Sequence, residues 1–201
     1  MNAIGLFGGT FDPIHNGHLA IARAAADRLG LAQVLLLPAG DPYHKTAPRT
    51  PARHRLAMSV LAAQCDPRFA ASDCDIVRGG ATYTFDTVQV FRQIYPNAQL
   101  YWLMGSDSLL QLHTWHKWRE LVRQTRFAVA VRAGVPLANA PRELQSWLGE
   151  AVQNGSVVLL DDIPPAVSST QIRQTLASGG DAGACLPESV AAYIRAQGLY
   201  R

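Results

Sequence analysis

Gly8-Gly9-Thr10-Phe11-Asp12-Pro13-Ile14-His15-Asn16-Gly17-His18 lies between an apolar run, Ala3 to Phe7, and an amphipathic one, Leu19 to Leu29. Strand, glycine turn, helix is the order that brings a helix N-terminus to the edge of a sheet. Gly8 and Gly9 lack a Cβ, so the backbone can turn sharply there and lie against a ligand. Asn16 or Gly17 suits the N-cap of the following helix. Unpaired N–H groups and the positive end of the helix dipole then face the space above the turn, where an anion is the natural guest. His15 and His18, spaced H-x-x-H, stand at that mouth with both rings in reach of one phosphate. Imidazole supplies N–H donors, and as imidazolium a positive charge as well. The pair could also ligate zinc, but no third and fourth ligands stand nearby in a zinc-like pattern.

Gly30 ends the helix, and Val34 to Leu37 is a short apolar run of the kind that forms a strand buried on both faces. Strand, helix and strand in so few residues make a βαβ unit with a right-handed crossover. The Gly8 turn then falls at the carboxyl end of the first strand, where open α/β sheets bind ligands. Further on, Pro38 to Pro51 is a loop, with Thr50-Pro51 as N-cap and first helical position of the next helix. Phe69 to Val77 reads as irregular strand, and a helix is expected from about Phe85 to Tyr95. Leu100 to Met104 is a buried strand ended by Gly105-Ser106-Asp107, a second glycine turn on the same sheet edge as the first. A short helical piece over Leu109 to Leu112 and a helix ending near Gln124 follow. Phe127 to Val131 and Val157 to Leu160 are strands, and Arg142 to Val152, the segment after Ser168, and Pro187 to Gln197 are helices. This alternation predicts an α/β fold, a single Rossmann-like, doubly wound parallel sheet flanked by helices.

A chain of 201 residues with 48% hydrophobic content can bury one core, so residues 1–201 are expected to form a single domain. The formal charge of +3 does not suggest a nucleic-acid partner. Cys65, Cys74 and Cys185 form no C-x-x-C pair and are simplest as reduced thiols of a cytoplasmic protein. No signal-peptide pattern or membrane span is visible, because Arg23, Asp27 and Arg28 interrupt the best apolar stretch. A soluble monomer or small homo-oligomer is expected.

Among the basic residues, Lys45 lies in a loop next to the first strand pair, within reach of a triphosphate. Arg49, Arg53 and Arg55 read as a solvated basic face. Ser168, Ser169 and Thr170 cap a helix with Arg173 in its first turn. That is either an ordinary serine cap beside an exposed arginine or a second anion-binding helix end. Arginine there opposes the dipole, which argues against a purely stabilising role. Trp102, inside an apolar strand, is assigned to the core, and Trp118 to either core or surface.

The string GGTFDPIHNGH resembles the T/H-x-G-H signature of the nucleotidyltransferase superfamily, in the long form typical of bacterial nicotinate-nucleotide adenylyltransferases. Val167 to Arg173 resembles the second superfamily motif, ISSTxIR. Leu37-Pro38 through His44-Lys45, Thr82 to Thr87, Gly105 to Leu109, Thr114-Trp115-His116 and Gly198 to Arg201 are similar to the nicotinate branch. The sequence departs at Tyr43 and Ala133, where that family has proline; neither change removes a catalytic group. The resemblance implies that Gly8, Gly9, Thr10, Phe11, His15 and His18 hold the phosphates of ATP. The histidines would be the main stabilisers of the transition state, joined by Lys45 and Arg173. It further implies that Gly105 and Asp107 line the adenosine pocket, with Ser169 and Thr170 closing over it. Tyr83, Thr84, Trp115 and His116 would receive nicotinate mononucleotide. The reaction so implied joins that nucleotide to ATP, giving deamido-NAD and pyrophosphate, with Mg²⁺ carried mainly by the substrate phosphates. Nicotinamide mononucleotide, phosphopantetheine or glycerol phosphate as acceptor, or a silent nucleotide sensor, are the other expectations on this scaffold.

Overall fold

The computed structural model of the chain describes residues 2–40, 50–131, 135, 137–161 and 167–201. Among these, the apolar runs form β1 (Ala3–Gly9), β2 (Gln33–Pro38), β3 (Phe69–Ala71), β4 (Gln99–Gly105), β5 (Arg126–Ala130) and β6 (Val157–Leu160). The strands pair in parallel throughout, in the order β3-β2-β1-β4-β5-β6. The helices are α1 (Asn16–Leu29), α2 (Ala52–Ala63), α3 (Cys74–Arg78), α4 (Thr84–Ile94), α5 (Ser106–Leu109), α6 (Trp118–Gln124), α7 (Arg142–Gln153), α8 (Ser169–Ala177) and α9 (Glu188–Gln197).

Alternation along each strand divides the core into two layers. Phe7, Val34, Leu36, Leu103 and Ala128 face one side, with Leu19, Met58, Ile172 and Val190 from α1, α2, α8 and α9. Leu6, Leu35, Leu37, Trp102 and Phe127 face the other, with Val88, Leu121 and Leu144 from α4, α6 and α7. Both faces are covered, which is why β2 reads as an unbroken apolar run. Each fully buried aliphatic side chain contributes about 1.5–3 kcal/mol relative to exposure. The strand order reverses at β1, which has β2 on one side and β4 on the other. Such a switch point opens a crevice at the carboxyl ends of the strands. Gly8-Gly9 ends β1 and Gly105 ends β4, so both glycine turns do reach the same edge.

Several boundaries differ from the sequence expectation. The N-cap of α1 is His15, not Asn16 or Gly17, because an imidazole nitrogen replaces the usual oxygen acceptor. Pro51, not Thr50, is the cap of α2. Only Phe69–Ala71 of the segment to Val77 is strand. Backbone pairing with β2 ends there, and Cys74–Arg78 turns into helix. The short helix after β4 begins at Ser106 and ends at Leu109, earlier than expected.

The amino edge carries its own ion cluster. Asp66, 8% exposed, accepts from the Arg68 backbone N–H, Nε and Nη2 at 3.0, 2.9 and 2.8 Å. The Arg68 bonds hold its carboxyl well below the usual carboxylate range. A depressed folded value gives stability that is present above the unfolded value near ~4 and is lost as pH falls through the folded one. Asp66→Asn should therefore cost about 1 kcal/mol at neutral pH. Thermal melts across pH should show its gap from the wild type narrowing below about pH 4.

Candidate active site at the carboxyl edge

The two histidines cap one another. The His18 backbone N–H donates to His15 Nδ1 and the His15 backbone N–H to His18 Nδ1, each at 3.3 Å. This is the reciprocal arrangement of a capping box, built from imidazoles instead of serine and glutamate. An Nδ1 that accepts carries no proton, so the neutral ring holds its proton on Nε2. The rings stack with centroids 3.7 Å apart and planes 23° from parallel. A Cβ on Gly17 would stand 3.1 Å from His15 Nδ1, so only a bare residue gives that ring its full room. His15 is 4% exposed and His18 half-buried.

Aromatic packing sets the height of the pair. Phe11, 2% exposed, packs edge-on to Phe7 at 5.6 Å and to His18 at 5.0 Å. Contact between Phe11 and a nucleotide therefore falls to its backbone. A Cβ on Gly8 would lie 2.5 Å from the Trp102 ring, so the end of β1 sits directly against that indole. Trp102 is core, as its strand context suggested.

The turn is braced from three other elements. Arg55 is 1% exposed, and its guanidinium donates to the carbonyls of Thr50, Thr10 and Gly40 at 3.1, 2.9 and 3.1 Å. This overturns its assignment to a solvated basic face; Arg53, two positions earlier, is exposed. Burial lowers Arg55 from its ordinary value, and the neighbouring Asp12 charge acts in the opposite sense. From α8, Ser169 Oγ donates to the Pro13 carbonyl at 3.0 Å and Arg173 Nη1 to the Asp12 carbonyl at 2.7 Å. Arg173 Nη2 reaches Thr170 Oγ1 at 3.3 Å, and its Nε is buried without a hydrogen-bond partner among the described residues. The N-terminus of α8 thus touches the β1–α1 turn itself. From beyond α9, the Tyr200 hydroxyl donates to Asp12 Oδ1 at 2.6 Å.

Across the crevice, Gly105 is buried at the end of β4, while Asp107 is exposed in the first turn of α5. Tyr83 caps α4, Thr84 is its first residue, and the Tyr83 and His116 rings lie 4.5 Å apart. Trp115 meets Trp102 edge-on at 6.5 Å and is only partly buried, so one aromatic series runs from Gly8 to Trp115. Trp118, open in the sequence, packs partly buried against Trp147. Beneath Tyr83, buried Asp75 accepts from Thr87 Oγ1 at 2.6 Å and pairs with Arg78 at 2.8 Å. Burial raises the Asp75 carboxyl, against the pull of Thr87 and Arg78. Lys45, Tyr43, Arg49 and Ala133 lie outside the described residues. Among the described residues no group of three or more His, Cys, Asp or Glu suits a metal ion, and no helix is long and apolar enough to cross a membrane.

Arg55 was legible in principle. It falls in the buried stripe of α2 with Met58, Ser59 and Ala62, at positions i, i+3, i+4 and i+7. Asp12 and Tyr200 carried no comparable signal, because their contact spans nearly the whole chain. Arg55→Met would strand three carbonyls, and a loss of about 3 kcal/mol or more is expected. Urea unfolding measures it, with Arg53→Met as the near-neutral comparison.

Comparison with known proteins follows the same outline. A family model described as cytidylyltransferase-like matches residues 6–175. A Neisseria meningitidis serogroup C protein named probable nicotinate-nucleotide adenylyltransferase is 62% identical over 200 residues, covering 100% of this chain and 99% of that protein. A Bordetella petrii protein of the same name is 44% identical over 201 residues, covering 100% of both. The solved structure of Plasmodium falciparum nicotinic acid mononucleotide adenylyltransferase complexed with NaAD is 19% identical, with a TM-score of 0.79 over 100% of this chain and 98% of that one. At that identity the likeness concerns the fold.

Proposed function

Because the chain belongs to the nicotinate-nucleotide adenylyltransferase family, we propose that it joins nicotinate mononucleotide to ATP. A phosphate oxygen of the mononucleotide attacks the α-phosphorus of ATP in line. The bond from that phosphorus to the β-bridging oxygen breaks, pyrophosphate leaves with the electron pair, and deamido-NAD forms. The observation that carries the reading is the stacked, mutually capped histidine pair at the first turn of α1, set at the switch point of the sheet.

The protein's part is alignment and charge stabilisation, which suffice for transfer at phosphorus. The peptide N–H groups from Gly8 to Phe11 and the start of α1 receive the triphosphate. His15 and His18 donate from Nε2 as charge grows on the phosphate oxygens. Arg173 adds a fixed positive charge beside the same turn, and Lys45 is the further cation assigned to the phosphates. Ser169 and Thr170 close the adenosine side with Gly105 and Asp107. Tyr83, Thr84, Trp115 and His116 form the mononucleotide side, Trp115 offering its partly exposed face to the pyridine ring. Imidazole and peptide N–H donors suit phosphate oxygens better than a hard cation, which prefers oxygen ligands. Mg²⁺ accordingly belongs on the phosphates of ATP, where it neutralises charge. The reading places the enzyme in the cytoplasm, in keeping with three free thiols.

The direct test offers ATP and Mg²⁺ with nicotinate mononucleotide, its amide or phosphopantetheine and follows pyrophosphate. Release with the acid should exceed that with the amide by at least about tenfold. Preference for the amide, or no release with any acceptor, contradicts the proposal. His18→Ala should lower kcat by about 10²–10³ while KM for ATP changes far less. A raised KM at unchanged kcat would place His18 in ground-state binding alone.

A further inference from the structure

Tyr200 lies just beyond α9, where Gly198 (φ 60°) ends the helix in the left-handed region and Tyr200 returns to it at φ 66°. Glycine enters that region freely and tyrosine does not, so its surroundings must hold it there. Its hydroxyl donates to Asp12 Oδ1 at 2.6 Å and also hydrogen-bonds the Thr50 side chain, while the ring packs partly buried against the α1 side of the core. Asp12 is 4% exposed, and the residue before it, Phe11, is itself left-handed at φ 51°. Two backbone outliers therefore meet across one short, charge-assisted hydrogen bond. Burial first, and the Asp12 contact second, push the Tyr200 hydroxyl well above its ordinary value, so it remains a donor throughout the physiological range.

Asp12 sits between two carbonyls already gripped from outside, Thr10 by Arg55 and Pro13 by Ser169. Its own carbonyl is taken by Arg173. Those bonds hold the backbone, and the Asp12 carboxylate, beside the Arg55 charge, adds a side-chain tie to Tyr200. We propose that Tyr200 is a positioning residue for adenylyl transfer: through the Asp12 carboxylate it fixes the turn from Phe11 to His15, and with it the aim of both imidazoles. The kinetic consequence rests on the adenylyltransferase reading above; the restraint on the turn does not.

Tyr200→Phe removes the hydroxyl and keeps the ring in place. In the full chain without substrate, amide hydrogen exchange over residues 10–18 should rise about tenfold, while β5 and β6 keep the wild-type rate. At saturating ATP, kcat should fall about tenfold with KM for ATP held within about twofold. In an Asp12→Ala background the same change should add less than about twofold. Asp12→Val, which likewise offers no acceptor to the hydroxyl, takes its place with the same expectation if the alanine variant does not fold. Faster exchange spread evenly over the whole chain, or unchanged exchange in the turn, overturns the positioning role. Wild-type turnover is recorded in the same series: its absence would remove the adenylyltransferase reading, and the exchange data would still decide the restraint.

Discussion

A guanidinium can be buried only where acceptors surround it, and Arg55 is met by the carbonyls of Thr10, Gly40 and Thr50. Those atoms belong to the ends of three separate segments: the turn after β1, the loop after β2 and the start of α2. A single side chain thereby ties the carboxyl edge together at the point where the strand order reverses. The desolvation cost of the charge makes the arrangement all or nothing, since a partly satisfied guanidinium would be worse than none. Rigidity at this edge is what a phosphate-binding turn needs, because its donors must stand in place before charge develops.

The histidine pair shows how the same backbone problem and the chemistry share one solution. The first turn of any helix leaves N–H groups without intrahelical partners. Here His18 Nδ1 takes the His15 N–H, His15 Nδ1 shares the His18 N–H with the His15 carbonyl, and that use of Nδ1 fixes each ring's tautomer. Capping thus uses one side of each ring, and the donor role proposed for Nε2 would use the other. Ring stacking against one another and the edge of Phe11 then limits rotation.

The doubly wound sheet was readable because burial on both faces writes itself as short apolar runs, as in Val34 to Leu37, with helices of clear period between them. The turn after β1 stood out because the full string from Gly8 to His18 resembles a family signature, where the glycine pair or the histidine pair alone is a weak signal. What stayed hidden were long-range side-chain bonds. Arg55 looks like any surface arginine unless its place in the α2 stripe is weighed above its charge. Tyr200 and Asp12 stand 188 positions apart, and no local pattern links them. Arg173 stood out through the resemblance of Val167 to Arg173 to a superfamily motif, yet its contact with the Asp12 carbonyl could not be inferred from its own neighbourhood.

The adenylyl-transfer reading depends on both imidazoles presenting Nε2–H to a triphosphate. Nitrogen-15 spectra of the two histidine rings, recorded with and without ATP, examine that directly. The account predicts that Nδ1 is unprotonated in each free ring and that both Nε2 resonances move as ATP saturates the site. A ring protonated on Nδ1 alone, or a pair of resonances indifferent to ATP, would contradict it.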